Sequence, residues 1–193
     1  MTFALLLVAG CKPAAVEDKR PPSAREFPQA FRPVSARSGD GFSNEQARDD
    51  RREAATVMDL AKIKPGMTVA DIGSGEGYYT VRLADRVGKK GRVLAEDIDR
   101  DALARLGSRV EAEHLDNVSI KLGTEDDPRL PAGSFDRIFM VHMYHEVSEP
   151  YAFLWHLRPA LKPGGSAIVV EAQVSAGIAK SPPSAARPRP RPS

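Results

Sequence analysis

The chain has 193 residues, 41% of them hydrophobic and 28% charged, a composition that fits one folded domain with tails better than two domains. Its formal charge of +2 belongs to the ends: residues 42–171 carry 18 basic and 22 acidic side chains, so the body lacks the basic face that nucleic-acid binding needs. The single cysteine excludes an internal disulfide framework and a multi-cysteine zinc site.

Residues 2–10 form a small, apolar run that ends directly at Cys11. Nine residues cannot span a bilayer, but they match the apolar region of an export signal. Val8-Ala-Gly-Cys11 resembles a bacterial lipobox. The resemblance implies a lipoprotein-type signal segment over 1–11, a lipid anchor on Cys11 and a membrane-anchored location on the periplasmic side. The basic region expected before the apolar run is missing, and a cytoplasmic location is the alternative. Residues 12–41 are rich in Pro, Arg, Ser and Ala without sustained periodicity, which predicts an extended, disordered linker. The Pro/Arg-rich stretch 172–193 reads as a disordered tail.

Between them, 42–171 alternates helix and strand. Ser43-Asn-Glu-Gln46 is a capping box, and Ala54, Val57, Met58 and Ala61 follow at helical spacing until Pro65-Gly66. Met67–Ile72 predicts a buried strand, followed by a glycine loop and a helix near 77–87. A second strand runs over Arg92–Asp97, and Asp99 caps a helix carrying Leu103, Leu106 and Val110. Val118–Leu122 and Arg137–Val141 are the third and fourth strands. Ser148 caps a helix through Leu161, and Lys162-Pro-Gly-Gly165 turns into a fifth strand, Ala167–Glu171. This alternation implies an α/β fold with a doubly wound parallel sheet, whose ligands sit beyond the carboxyl ends of the strands. The chemically distinctive residues fall there: Asp71–Gly77, Asp97, Glu125-Asp-Asp127 and His142–Glu146 each follow or end a strand.

Gly73, Gly75 and Gly77 follow a strand and open a helix, and Ser74 lies between the first two. Asp97 ends the next strand, 20 residues beyond Gly77, where a carboxylate can accept both hydroxyls of a ribose. A dinucleotide would bring a pyrophosphate, which is poorly served by nearby carboxylates. This loop instead starts at Asp71 and contains Glu76, so its charge suits a ligand with an ammonium and a sulfonium. S-adenosylmethionine fits better than a nicotinamide dinucleotide.

Val69-Ala-Asp-Ile-Gly-Ser-Gly-Glu-Gly-Tyr78, Val93-Leu-Ala-Glu-Asp-Ile-Asp99, Leu130-Pro-Ala-Gly-Ser-Phe-Asp136 and Leu157-Arg-Pro-Ala-Leu-Lys-Pro-Gly-Gly165 occur in that order. The stretch 55–171 thereby resembles the class I S-adenosylmethionine-dependent methyltransferases, particularly their small-molecule, quinone-methylating branch. The resemblance implies a Rossmann-like methyltransferase fold and a small-molecule methyl acceptor. It places Asp71 and Gly73–Gly77 at the methionine moiety, Asp97 at the ribose and Thr124–Asp127 along the adenine, with Ile98 also among the cofactor-binding residues. Glu125 and Asp126 are the candidates to meet the adenine amine. It also makes Asp136 a structural marker of the fourth strand.

His142, His145 and Glu146 follow the fourth strand, where acceptor-facing residues occur in that family, and any of them is a candidate general base. Their spacing is not that of a zinc-binding helix, and no metal is expected. Tyr78, Tyr79 and Trp155 read as packing residues, Arg51-Arg52 as a solvated helix face and Glu171 as a strand end. The resembled fold continues past its fifth strand into an antiparallel hairpin that cannot be read in 172–193, so the expected fold is truncated there. A cofactor-binding but catalytically impaired domain is therefore an alternative to an active enzyme, and a nicotinamide-dependent oxidoreductase is a weaker one. The sequence leaves the acceptor atom and the oligomeric state open.

Overall fold

A computed structural model describes residues 18–35 and 44–171. The elements are α1 (Glu45–Asp50), α2 (Glu53–Leu60), β1 (Thr68–Ile72), α3 (Tyr78–Val87), β2 (Arg92–Asp97), α4 (Arg100–Ala112), β3 (Val118–Leu122), β4 (Phe135–Val141), α5 (Pro150–Leu157) and β5 (Leu161–Val170). All described strand pairs are parallel, in the order β3-β2-β1-β4-β5. The chain winds outward from β1 through β2 to β3, then returns to the other side for β4 and β5. The order reverses between β1 and β4, and that is where the carboxyl ends leave a crevice. This is the expected doubly wound sheet.

Alternation along the central strands separates two cores. Val69 and Phe139 pack with Ala54, Met58, Tyr79 and Leu83 from α2 and α3, while Ala70, Ile72, Ile138 and Met140 pack with Phe153 and Leu157 from α5. Both faces of β1 and β4 are thus buried, which accounts for their near-continuous apolar runs. Asp136 accepts from the Thr68 amide at 2.8 Å and from Lys162 Nζ at 2.7 Å, tying together the starts of β1, β4 and β5.

The structure departs from the sequence expectations at three places. The single helix expected from Ser43 is two short ones, broken where Arg52 takes a left-handed conformation (φ 55°), and the capping side chain is Asn44, which accepts from the Ala47 amide at 2.9 Å. The apolar spacing of Ala54, Val57 and Met58 belongs to α2 alone; α1 buries nothing and leaves its charged side chains available to the crevice. The helix expected from Ser148 to Leu161 is shorter. It begins at Pro150 after Glu149 and gives way to a 3-10 turn over Arg158–Ala160, where Pro159 lacks an amide proton for the α-helical pattern. Lys162–Gly165 then forms a wide bulge within β5, since Leu161 pairs with Phe135 and Ser166 with Arg137.

Residues 18–35, expected as part of an extended linker, lie against the domain as a strap. A 3-10 helix, Pro22–Glu26, buries Ala24 completely. Arg20 wraps this turn by donating to the carbonyls of Ala24 (3.3 Å) and Phe27 (3.0 Å), and the Phe27 ring lies 5.9 Å from that of Trp155. Local periodicity cannot announce such a segment, because its partners are more than a hundred residues away in the chain. The lipobox, Cys11 and the tail 172–193 lie outside the described residues, and so does the expectation of truncation.

The bulge makes a testable demand. A Cβ on Gly165 would stand 2.8 Å from the Phe135 carbonyl oxygen and 2.9 Å from that of Lys162, both backbone atoms. Gly165→Ala should destabilise the domain by about 1–3 kcal/mol, read as a lower thermal midpoint in calorimetry.

Candidate functional site

A cavity of about 800 Å³ opens at the carboxyl ends of β1, β2 and β4. Its floor is the glycine loop. Gly73 has φ 67°, and a Cβ there would lie 2.9 Å from Met143, so the loop passes too close to the β4 segment for a side chain. Gly75 has φ 53° and nothing within 4 Å of the place a Cβ would take; it faces the open cavity. Gly77 serves another purpose. It does not line the cavity, and a Cβ there would collide with Leu106, so this glycine lets α3 pack against α4.

Asp97 connects the loop to β2. Its Oδ2 accepts from the Gly75 amide at 2.8 Å and its Oδ1 from the Asp99 amide at 2.9 Å, while the residue still lines the cavity. A carboxylate has about four lone-pair sites, so two remain for a ligand. Ile98 and Asp99 continue this wall, and Ser74 and Glu76 belong to the loop side.

Asp71 is not on the cavity wall. It shares a face of β1 with Val69, turned toward α3, and its Oδ2 accepts from the Thr80 hydroxyl at 2.6 Å. Burial raises its pKa to about 7 despite that hydrogen bond. Asp71, expected at a methionine moiety, sits beside Thr80 and outside the cavity lining. Asp126 departs likewise. It is buried, accepts from the Thr124 hydroxyl at 3.1 Å and from the Ser23 hydroxyl of the strap, and leaves the wall to Thr124 and Glu125.

Glu96 was not anticipated from the sequence. It lies in the cavity wall, 2% exposed, and a Cβ on Gly123 would collide with its Oε1. Burial pushes its pKa to about 8, with the charges of Asp97 and Asp71 adding to the rise. Its Oε1 and the Ser74 hydroxyl are buried without a hydrogen-bond partner among the described residues. A carboxylic residue inside a parallel strand, next to the strand-terminal acid, was the available signal.

The three candidate bases separate. His142 and Glu146 line the cavity, whereas the His145 ring turns out to Glu171, with Nδ1 2.7 Å from Oε2. Glu171 therefore does more than end a strand. His142 is held in a left-handed conformation (φ 55°), its amide donating to Val170 at 2.8 Å, and its Nε2 lies 3.5 Å from Glu53 Oε1. Among the described residues no group of three or more such side chains is arranged to hold a metal ion.

Glu53 and Arg48 enter from the broken N-terminal helix. The Arg48 guanidinium stacks 3.7 Å above the Tyr78 ring and donates to Glu53 at 2.6 Å, and the Tyr79 hydroxyl reaches Glu53 at 3.3 Å. Tyr78 and Tyr79 are buried, as their packing role required, and Tyr78 also faces the cavity. Arg51 and Arg52 are exposed, in keeping with a solvated face, but Trp155 is 57% exposed and touches the strap instead of filling a core. Val34 and Ser35 of the strap complete the cavity's outer wall, with the Ser35 amide donating to the His145 carbonyl at 3.2 Å.

The raised acids have a consequence for stability. Glu96 and Asp71 hold their protons to higher pH in the folded state than in the unfolded chain, so their contribution is full below about pH 4 and is lost as pH rises through about 7 to 8. The thermal midpoint of the ligand-free protein should fall between pH 6 and pH 8.5, and Glu96→Gln should flatten that fall by several degrees in calorimetry. An equal slope in both proteins would contradict the placement of this acid.

Residues 69–165 match a family model described as "Methyltransferase domain". Among curated proteins, the nocamycin O-methyltransferase of Saccharothrix syringae is 36% identical over 86 residues, covering 45% of this chain and 31% of that protein. The ubiquinone/menaquinone biosynthesis C-methyltransferase of Hydrogenovibrio crunogenus is 32% identical over 117 residues, 60% of this chain and 46% of that one. The chain thus spans less than half the length of either relative. Among solved structures, a SAM-dependent methyltransferase from Aquifex aeolicus superposes with a TM-score of 0.59 at 29% identity, covering 67% of this chain and 73% of the other. The fold is the Rossmann-like methyltransferase fold, and by the match across half its length the chain belongs to the methyltransferase-domain family.

Proposed function

We propose that the cavity binds S-adenosylmethionine and that the protein transfers its methyl group to a small-molecule acceptor. The observation that carries this reading is the acid-lined glycine floor: Gly73–Gly75 open to the cavity, with Asp97, Glu76 and Glu125 around it. A pyrophosphate would be repelled there, whereas a cation is attracted. The orphaned Ser74 hydroxyl and Glu96 Oε1 fit a ligand that brings its own donors, such as an ammonium. In this reading Gly73–Gly75 with Ser74 and Glu96 hold the methionine part, the free lone pairs of Asp97 take the ribose hydroxyls, and Ile98, Thr124 and Glu125 flank the adenine.

When bound, the cofactor supplies a methyl carbon on a sulfonium, which passes to the acceptor's lone pair as the carbon–sulfur bond breaks. The chain's own contribution is placement of the acceptor against the methyl carbon. Acceptor and methyl carbon must meet between the glycine floor and the β4 segment, where Met143, His142 and Glu146 form the opposite wall. His142 is the base for an acceptor that must lose a proton, with the Glu53 carboxylate, fixed by Arg48, beside its Nε2. His145 is not part of this chemistry.

Calorimetric titration tests the cofactor half. S-adenosylmethionine and S-adenosylhomocysteine should bind and NAD should not, and Asp97→Ala should weaken S-adenosylhomocysteine about tenfold or more, the loss of hydrogen bonds to a charged group. Unchanged affinity would refute the ribose assignment. For the acceptor half, a panel of phenols, amines and thiols should yield a turned-over substrate on which His142→Ala lowers kcat by about 10²–10⁴ while S-adenosylhomocysteine binding is preserved. Tight cofactor binding without turnover of any class would favour the catalytically impaired alternative.

A further inference from the structure

Five large hydrophobic side chains that remain exposed gather on two touching elements, the strap and α5. They are Phe31 (96% exposed), Val34, Tyr151, Leu154 and Trp155. On α5, Tyr151, Leu154, Trp155 and Arg158 follow at helical spacing on the outer face, while Ala152, Phe153 and Leu157 fill the core on the inner one. A helix apolar on both sides has a second partner to find. The stripe runs onward to the strap, where Phe27 sits against Trp155, Phe31 follows, and Val34 lines the mouth of the cavity. The strap is fixed in this path, because Arg32 donates to the carbonyls of Tyr144 (2.7 Å) and Val147 (2.5 Å) with its guanidinium 4.6 Å above the Tyr144 ring.

We propose that this face docks on an anionic lipid surface. The side chains are of the kind that seat at the headgroup level, namely tryptophan, tyrosine and phenylalanine. The charges around them are mainly basic. Lys19, Arg25 and Arg158 are exposed, Arg20 lies between Asp18 and the buried Glu149, and Asp18 and Glu26 are the exposed acids of the strap. That rim repels a second copy presenting the same face and attracts a surface of anionic headgroups. No helix among the described residues is long and apolar enough to cross a membrane, so the contact lies on the surface. Since Val34 belongs both to the patch and to the cavity mouth, an apolar acceptor passes from the lipid to the site without crossing water. That last consequence rests on the methyl-transfer reading, and the surface itself does not.

Trp155 is the single tryptophan of the chain, so its fluorescence reports on this patch alone. The experiment uses the full chain with Cys11→Ser, which removes any lipid attachment, mixed with vesicles of phosphatidylcholine with or without phosphatidylglycerol. Trp155 emission should shift to the blue on the anionic vesicles, less so at high salt, and Phe31→Ser with Leu154→Ser should weaken vesicle affinity about tenfold or more with circular dichroism unchanged. Co-sedimentation through the apolar run 2–10 without any Trp155 shift overturns the proposal. A shift that grows with protein concentration in the absence of lipid also overturns it, by making the patch a contact between copies. S-adenosylhomocysteine binding measured on the same variants separates this outcome from failure of the cofactor reading.

Discussion

The hydrogen bond from the Gly75 amide to the Asp97 carboxylate, 2.8 Å long, joins the two pieces of backbone from which the cofactor half of the site is made. It sets the glycine loop against the end of β2. It also leaves the rest of the carboxylate facing the cavity, and it works only because the loop residues adopt positive φ without a Cβ in the way. The parallel pairing of β1 with β2, which sets Ile72 opposite Glu96, holds both ends of the bond. Beneath it, Asp71 and Glu96 are buried acids whose burial favours the protonated form.

The outer half of the cavity has a different origin. Its lining residues Arg48, Val34 and Ser35, and Glu53, which pairs with Arg48, all lie N-terminal to the segment that matches the family model. They arrive because α1 breaks from α2 at Arg52, and because the strap is pinned by Arg20, Ser23 and Arg32 to parts of the chain beyond residue 120. These outer-wall residues thus lie outside the stretch matched to the family, while the glycine floor lies within it. His142 sits where the two halves meet, its strained backbone held by the Val170 carbonyl and its ring facing Glu53.

Several elements were legible because local rules and tertiary demands agreed. The bounds of β2 and β3 coincide with their apolar runs, and α4 begins at the Asp99 cap, whose side chain accepts from the Asp101 and Ala102 amides. Where one residue type serves several environments, the pattern did not tell them apart. Asp71 and Asp126 carry the acids expected of ligand contacts, yet strand alternation turns the first toward α3 and the strap captures the second. His145 and His142 look equivalent in the sequence; a 3-10 turn over Tyr144–Glu146 sends one outward to Glu171 and leaves the other in the wall.

By itself the sequence determined the winding of the sheet, the glycine floor and the acid at the end of β2, because each follows from periodicity, from the steric freedom of glycine or from a short fixed spacing. The tertiary structure alone decided which acids face the cavity, which histidine does, and that a proline-rich segment read as a linker closes the site. Most of those depend on contacts between residues 26 to 129 positions apart, where neither propensity nor spacing carries information and only the packed sheet brings the partners together.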